Sequence, residues 1–483
     1  MSTTTRNLSA FDELMALRDG AGPVAGEVTI TGSDPLFTSP LRIGATLADA
    51  LAARAVAAND LWELRTGRRQ RISVDVRAAA ATALGGEDMT LVRGADGEYR
   101  PAPLSPAVEH MVSLTQPWPT ADGRFFLPHF NLPHLERRVL DVLRCDPTPE
   151  SVRAAVRKWK ADDLEDAIAA AGACGGVVRT PGEWLAHPHG AHLATRPVVQ
   201  ITKIGDSEPE PLPGGERGTH PLSGVRVLDL TRILAGPTAA LSLAEHGADV
   251  LMVTAPQLPQ VPPFVRDTSH GKRSTYLDYT QPDEAARLRE LAGDADVFVE
   301  GYRPHRMAAH GFGPADLAQQ RPGIVYVTVN CFGSGGPFGS RAGWDQVAQA
   351  VTGVCDIQGS AANGGKPQLT PVYLCDFLTG FLAGYGAMLA LSRRAREGGS
   401  YHVQVSLCQS AMLLQRQGLL DDFTAAPGQL RPDEFDRYAI RDDQTSYGDL
   451  KSLGPVIRMD ETQPRWSRTT PELGSSRPEW LGR

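Results

Sequence analysis

Asp376 is one of four features in the second half whose residue types could do chemistry. It stands at the mouth of the apolar run FLTGFLAGYGAMLAL (377–391), within TPVYLCDFLTG (370–380). An acidic residue there suits a helix N-terminus as an N-cap. The alternative to that strong capping reading is a carboxylate partly stripped of water by Leu374, Phe377 and Leu378, which can act as nucleophile or base. Three other segments carry ligand chemistry. LDLTRILAGP (228–237) turns out of a strand, the place where α/β sheets hold ligands, and Arg232 offers a cation there. HGKRSTYLD (270–278) puts Lys272 and Arg273 beside Gly271, an arrangement that can hold a phosphate near backbone amides. CFGSGGP (331–337) follows a strand, and Gly333, Gly335 and Gly336 would let a ligand approach the backbone. Taken singly, each has a plain alternative: a packed turn, surface charge or a flexible loop. G-x-G-x-x-G and the Walker spacing are both absent.

The elements that must position these residues alternate. Strands are expected at 225–230, 249–253, 296–300 and 324–330, with helices at 239–246 and 283–291. Pro237 suits a first helical turn and Gly247 a C-cap. This order implies a mostly parallel sheet covered on both faces. The first half is less regular: a helix over 46–58, a strand over 71–76, and helices over 151–160 and 162–171. A faint echo links 63–84 with 393–414. It aligns Gly67 with Gly398, Ile72 with Val403 and Val74 with Val405.

Composition bounds the rest. The 483 residues suggest about three domain-sized units. At 41% hydrophobic they supply sizeable cores, and at 22% charged they exclude disorder along the whole length. The net charge of −8 argues against a general nucleic-acid binder. The six cysteines are scattered with no C-x-x-C, so neither a disulfide framework nor a zinc ribbon is expected. His187, His189 and His192 cluster in sequence, but Pro188 and Gly190 disfavour a helical ligand face, and no metal is expected. The start has no secretory pattern, and the 377–391 run is short for a membrane span, so a buried core helix in a soluble, cytoplasmic protein is expected.

In order, PLSGVRVLDLTRILAGP, LAEHGADVLMV, GKRSTYLD, ADVFVEGYRP, FGSGGP, GWDQVAQAVTG and CDFLTG, all within 221–380, resemble the class III coenzyme A transferase family. Its relatives include formyl-CoA transferase, carnitine CoA-transferase and α-methylacyl-CoA racemase. The resemblance implies a Rossmann-like parallel α/β sheet with a smaller α/β domain. It makes Asp376, in D-x-x-x-G with Gly380, the nucleophile of a CoA-transferase that passes CoA from an acyl-CoA to a small carboxylic acid. CoA is then a substrate, with no permanently bound cofactor. Arg232, Lys272, Arg273, Tyr302, Arg303, Gly333, Gly335 and Gly336 become the implied CoA contacts, and Trp344 an implied part of the acyl pocket. Family racemases carry a histidine where Trp344 stands, which favours transfer over racemisation. The rival readings are an acyl-CoA racemase or isomerase and a non-catalytic CoA-binding pseudoenzyme. A homodimer without nucleic-acid or membrane partners is also implied.

Usual members begin near PLSGVRVLDL. Here the preceding residues resemble the family's later part, so the chain reads as two partial copies. The expected units are a tail-like half (1–110), a small α/β domain (111–204), a linker (205–220), a head with the nucleophile (221–430) and a C-terminal extension packing on the large domain (431–483).

Overall fold

The computed structural model describes residues 8–19, 22–85, 90–214 and 218–482. Residues 1–7 and 20–21 of the start, where no secretory pattern is expected, and residues 215–217 of the expected linker lie outside them.

In chain order, β1 (Val28–Thr31), helix α1 (Ile43–Thr66), β2 (Ile72–Asp75) and α2 (Val76–Ala81) come first. β3 (Thr90–Arg93) and β4 (Tyr99–Pro101) pair as a hairpin. β5 (Trp118–Pro119) and β6 (Phe125–Pro128) precede α3 (Pro133–Leu143), and β7 (Gly175–Val177) completes their antiparallel sheet. β8 (Val199–Gly205) follows. The next half supplies β9 (Arg226–Leu230), α4 (Ala235–Ala244), β10 (Asp249–Thr254), β11 (Lys272–Tyr276), β12 (Val297–Glu300) and β13 (Val325–Asn330). It continues through α5 (Asp345–Thr352), α6 (Leu374–Glu397), β14 (Ser400–Ser406) and α7 (Leu407–Arg416). β15 (Ala439–Thr445), β16 (Gly448–Leu453) and β17 (Arg458–Met459) come last.

The main sheet runs β11-β10-β9-β12-β13-β14-β8. All pairs are parallel except β14 with β8. Its strands are near-continuous apolar runs because helices cover both faces. Val227, Val297 and Val325 point into one core, and Leu228, Phe298 and Tyr326 into the other. The sequence expectation of a parallel α/β sheet is met.

α6 fills the centre of the first core, and its most apolar stretch is wholly buried. It meets α4 at very short range. A Cβ on Gly380 would come within 2.6 Å of Thr238 Cβ and 2.7 Å of the Ala235 carbonyl oxygen, and one on Gly384 within 2.9 Å of Ser242 Cβ. The glycine of D-x-x-x-G is thus a packing residue that lets two helix backbones touch.

The sequence echo is a structural repeat. α1 and α6 are both 24 residues long and both end at a glycine of positive φ, Gly67 and Gly398. The residues before them, Arg42 and Tyr373, share φ/ψ of −78°/60° and −81°/60°. β1 pairs with β2 as β13 pairs with β14: Ile30 faces Val74, and Val329 faces Val405. Each pair is closed by an antiparallel strand from the other half, β17 on β2 and β8 on β14. α1 also packs along α6, and the Arg54–Glu245 ion pair (2.6 Å) ties α1 to the end of α4.

One expected boundary needs correction. Residues 199–205 belong to the main sheet as β8, not to the small domain, because the β14 edge needs a partner for its backbone groups. The described part of the expected linker is held against the fold at Glu210 and Pro213. Arg65 donates to the carbonyls of Pro213 and Pro221, and Glu210 pairs with Arg321 at 2.6 Å. The last segment lies along the β11 edge, where Ser476 N donates to Ser274 O and Arg273 donates to Glu479 O.

Candidate active site

Asp376 is the third residue of α6, not its N-cap. The capping is done by Asp345, at the start of α5, whose Oδ2 accepts from Asp376 N at 3.0 Å. Its Oδ1 accepts from Gln349 Nε2 at 2.5 Å. Both aspartates are almost fully buried. Burial, and then the nearby Asp345, hold the Asp376 carboxyl well above the usual carboxylate range. Burial also pushes Asp345 up to about 6. The positive end of α6 offsets part of that cost for Asp376.

Two cavities meet at Asp376 and share Leu132, Ile233 and Trp344 as the rim between them. The first, about 450 Å³, is basic, with Arg138, Arg232, Arg303 and Arg306 in its wall. It continues past Tyr302 and Tyr279 into a smaller recess of about 180 Å³ above β10 and β11. The second, about 370 Å³, is lined largely by apolar side chains. Trp344 is half-buried and held against His129 of the N-terminal half, ring centroids 4.9 Å apart. The site therefore places one buried carboxylate between a basic channel and an apolar chamber.

Residues 222–440 match the model of CoA-transferase family III. This region belongs to CoA-transferase family III. An acyl-CoA transferase of Gibberella moniliformis is 32% identical over 366 residues, 67% of this chain and 64% of that protein. Human succinyl-CoA:glutarate CoA-transferase is 36% identical over 203 residues, 39% of this chain and 46% of its own length. A crystal structure of a CaiB/BaiF family protein from Brucella suis is 30% identical, with a TM-score of 0.38 over 41% of this chain and 56% of that one. The chain spans less than two thirds of these relatives' lengths.

Within the family III region, the fold brings together only part of the expected site. Arg232, Tyr302, Arg303, Trp344 and Asp376 all line the basic cavity. Arg232 lies over the Tyr302 ring at 5.8 Å and donates to Pro259 O. Lys272 does not reach the cavity. It is buried on β11, with Nζ 2.8 Å from both Asp229 Oδ2 and Pro237 O. A cation that deep needs a carboxylate, and it has one. Arg273 points away as well, paired with Asp249 at 3.0 Å. Gly333, Gly335 and Gly336 face Leu193, His192 and His189 instead of a ligand. There His189 Nε2 meets Phe332 O at 2.8 Å, and its Nδ1 accepts from Phe338 N, so that histidine cluster clamps the glycine loop. A different glycine serves the site: a Cβ on Gly343, which lines the basic cavity, would strike Cys331 Sγ at 2.4 Å.

Sequence reasoning missed Asp345 and the wall from outside the family III region. Asp345 was visible in GWD as the residue after Trp344. Its role depends on a contact 31 positions away. Leu132, His134 and Arg138 come from α3 and its approach. Their signal was Pro133 at a helix start followed by Leu135, Val139 and Leu143 at helical spacing, which points inward and turns Arg138 outward.

Proposed function

We propose that this chain is an enzyme that transfers coenzyme A from an acyl-CoA thioester to a carboxylic acid, with Asp376 as the covalent nucleophile. The observation that carries the reading is the position of Asp376 where a basic channel and an apolar chamber meet. The channel suits the phosphates of CoA, through Arg138, Arg232, Arg303 and Arg306. The recess beyond Tyr302 suits the nucleotide base. The family III relatives named as CoA-transferases support the same reading.

Four bond exchanges complete the transfer in this reading. An Asp376 oxygen attacks the thioester carbonyl, the C–S bond breaks, and CoA thiolate leaves a mixed anhydride. The thiolate attacks the Asp376 carbonyl, forming an aspartyl thioester and releasing the donor acid. The acceptor carboxylate attacks that thioester and frees thiolate again. Attack of the thiolate on the acceptor's acyl carbonyl then yields the new acyl-CoA and restores the Asp376 carboxylate. Every bond broken is matched by one of similar activation, so no nucleotide is consumed. Burial of the carboxylate keeps water from competing for either intermediate.

Incubation with acyl-CoA and hydroxylamine is expected to leave a hydroxamate on Asp376, located by peptide mass spectrometry. An Asp376→Ala chain that retained transfer activity would overturn the proposal.

A further inference from the structure

We infer that the acyl group handled here is that of an apolar monocarboxylic acid, and that dicarboxylic acids are rejected. This rests on the proposed reading of Asp376 and deepens it. The chamber opposite the basic channel is walled by Val108, Met111, Ile233, Val261 and Phe264. None of its described lining residues is a lysine or arginine. Among its described lining residues, His110 and Glu136 already engage each other, with His110 Nε2 2.8 Å from Glu136 Oε1. The arginines of the site all line the other cavity, where the phosphates of CoA would occupy them.

With the thioester carbonyl at Asp376 and CoA in the basic channel, the acyl chain has the apolar chamber to enter. An alkyl chain leaves water for a surface of matching kind, which is favourable. A distal carboxylate would meet no lysine or arginine there and would have to compete with Glu136 for His110, which penalises it.

The test compares hexanoyl-CoA with succinyl-CoA on the full chain, reading kcat/KM for hydroxamate formation at Asp376. Hexanoyl-CoA is expected to exceed succinyl-CoA by about 100-fold. Val108→Arg, which adds a cation to the wall, is expected to narrow that ratio at least about tenfold through a gain with succinyl-CoA. Should that variant fail to fold, Met111→Trp shortens the chamber and is expected to slow hexanoyl-CoA while sparing acetyl-CoA. Equal or faster reaction of succinyl-CoA in the unaltered chain would overturn the inference and leave the role of Asp376 standing. No hydroxamate with any thioester would overturn both.

Discussion

The backbone N–H of Asp376 donates to Oδ2 of Asp345 at 3.0 Å, so the residue that positions the reactive helix turn is itself an acid. Asp345 fixes the turn through hydrogen bonding while its charge opposes ionisation of Asp376. Asparagine keeps an acceptor at the same place and removes the charge. Asp345→Asn is therefore expected to lower the Asp376 pKa. The acidic limb of log kcat/KM against pH should move down by roughly one unit. A limb that stays put or moves up would mean that Asp345 does not tune its neighbour.

Lys272 and Arg232 are both cations of the family III region, yet only one faces the cavity. Lys272→Met would strand Asp229 in the core without its partner, and Asp229 also accepts from Thr231 at the turn that carries Arg232. It is expected to cost about 3–5 kcal/mol of stability by urea unfolding. Arg232→Ala is expected to leave the urea midpoint within error and raise KM for acyl-CoA about tenfold. A Lys272→Met chain with unchanged stability and weakened CoA binding would reverse this assignment.

How far the sequence disclosed the site follows from the range of each contact. Strand β13 and helix α6 announce themselves through local pattern, and Asp376 is conspicuous because it breaks an apolar run. Lys272 and Arg273 looked like ligand cations because a strand's alternation does not reveal that Asp229 and Asp249 wait across the sheet. The glycines at 333, 335 and 336 looked like a cradle, but the histidines that fill the space come from residues 189 and 192. The helical spacing of α3 was legible, but its place in the wall was not, because its partners lie in the other half of the chain. Short-range chemistry was legible; charge pairing across the sheet and packing between the halves were not.

Glu300 provides a pH test away from the nucleophile. It is buried at the end of β12, where its Oε2 accepts from Tyr302 N at 2.9 Å. Burial pushes its carboxyl up to about 7 from 4.5. A raised folded-state value means the proton stabilises the fold below the ordinary carboxyl range. That stability is lost as pH rises toward about 7. Glu300→Gln mimics the protonated form. It is expected to be neutral at acid pH and to raise stability at pH 8 by about 1–3 kcal/mol. A variant less stable than the parent at pH 8 would show that the ionised carboxylate is satisfied after all.

The repeated half makes a prediction about stoichiometry. Asp34 accepts from the backbone of Gly44 and Ala45 at 2.8 and 2.9 Å, as Asp345 accepts from Asp376 at the start of α6. Matching α1 to α6 from their first residues puts Ala45 where Asp376 stands. The first copy thus keeps the helix, the strand pair and the capping acid but carries Ala45 where the proposed nucleophile stands. Hydroxylamine trapping is expected to give one modified carboxylate per chain in the parent and none in Asp376→Ala, with the peptide spanning 43–66 unmodified throughout. Asp34→Ala removes two acceptors from α1 and is expected to cost about 1–2 kcal/mol while the stoichiometry stays at one. Two modified carboxylates per chain, or a loss of labelling in Asp34→Ala that does not track unfolding, would show that the first copy still carries chemistry.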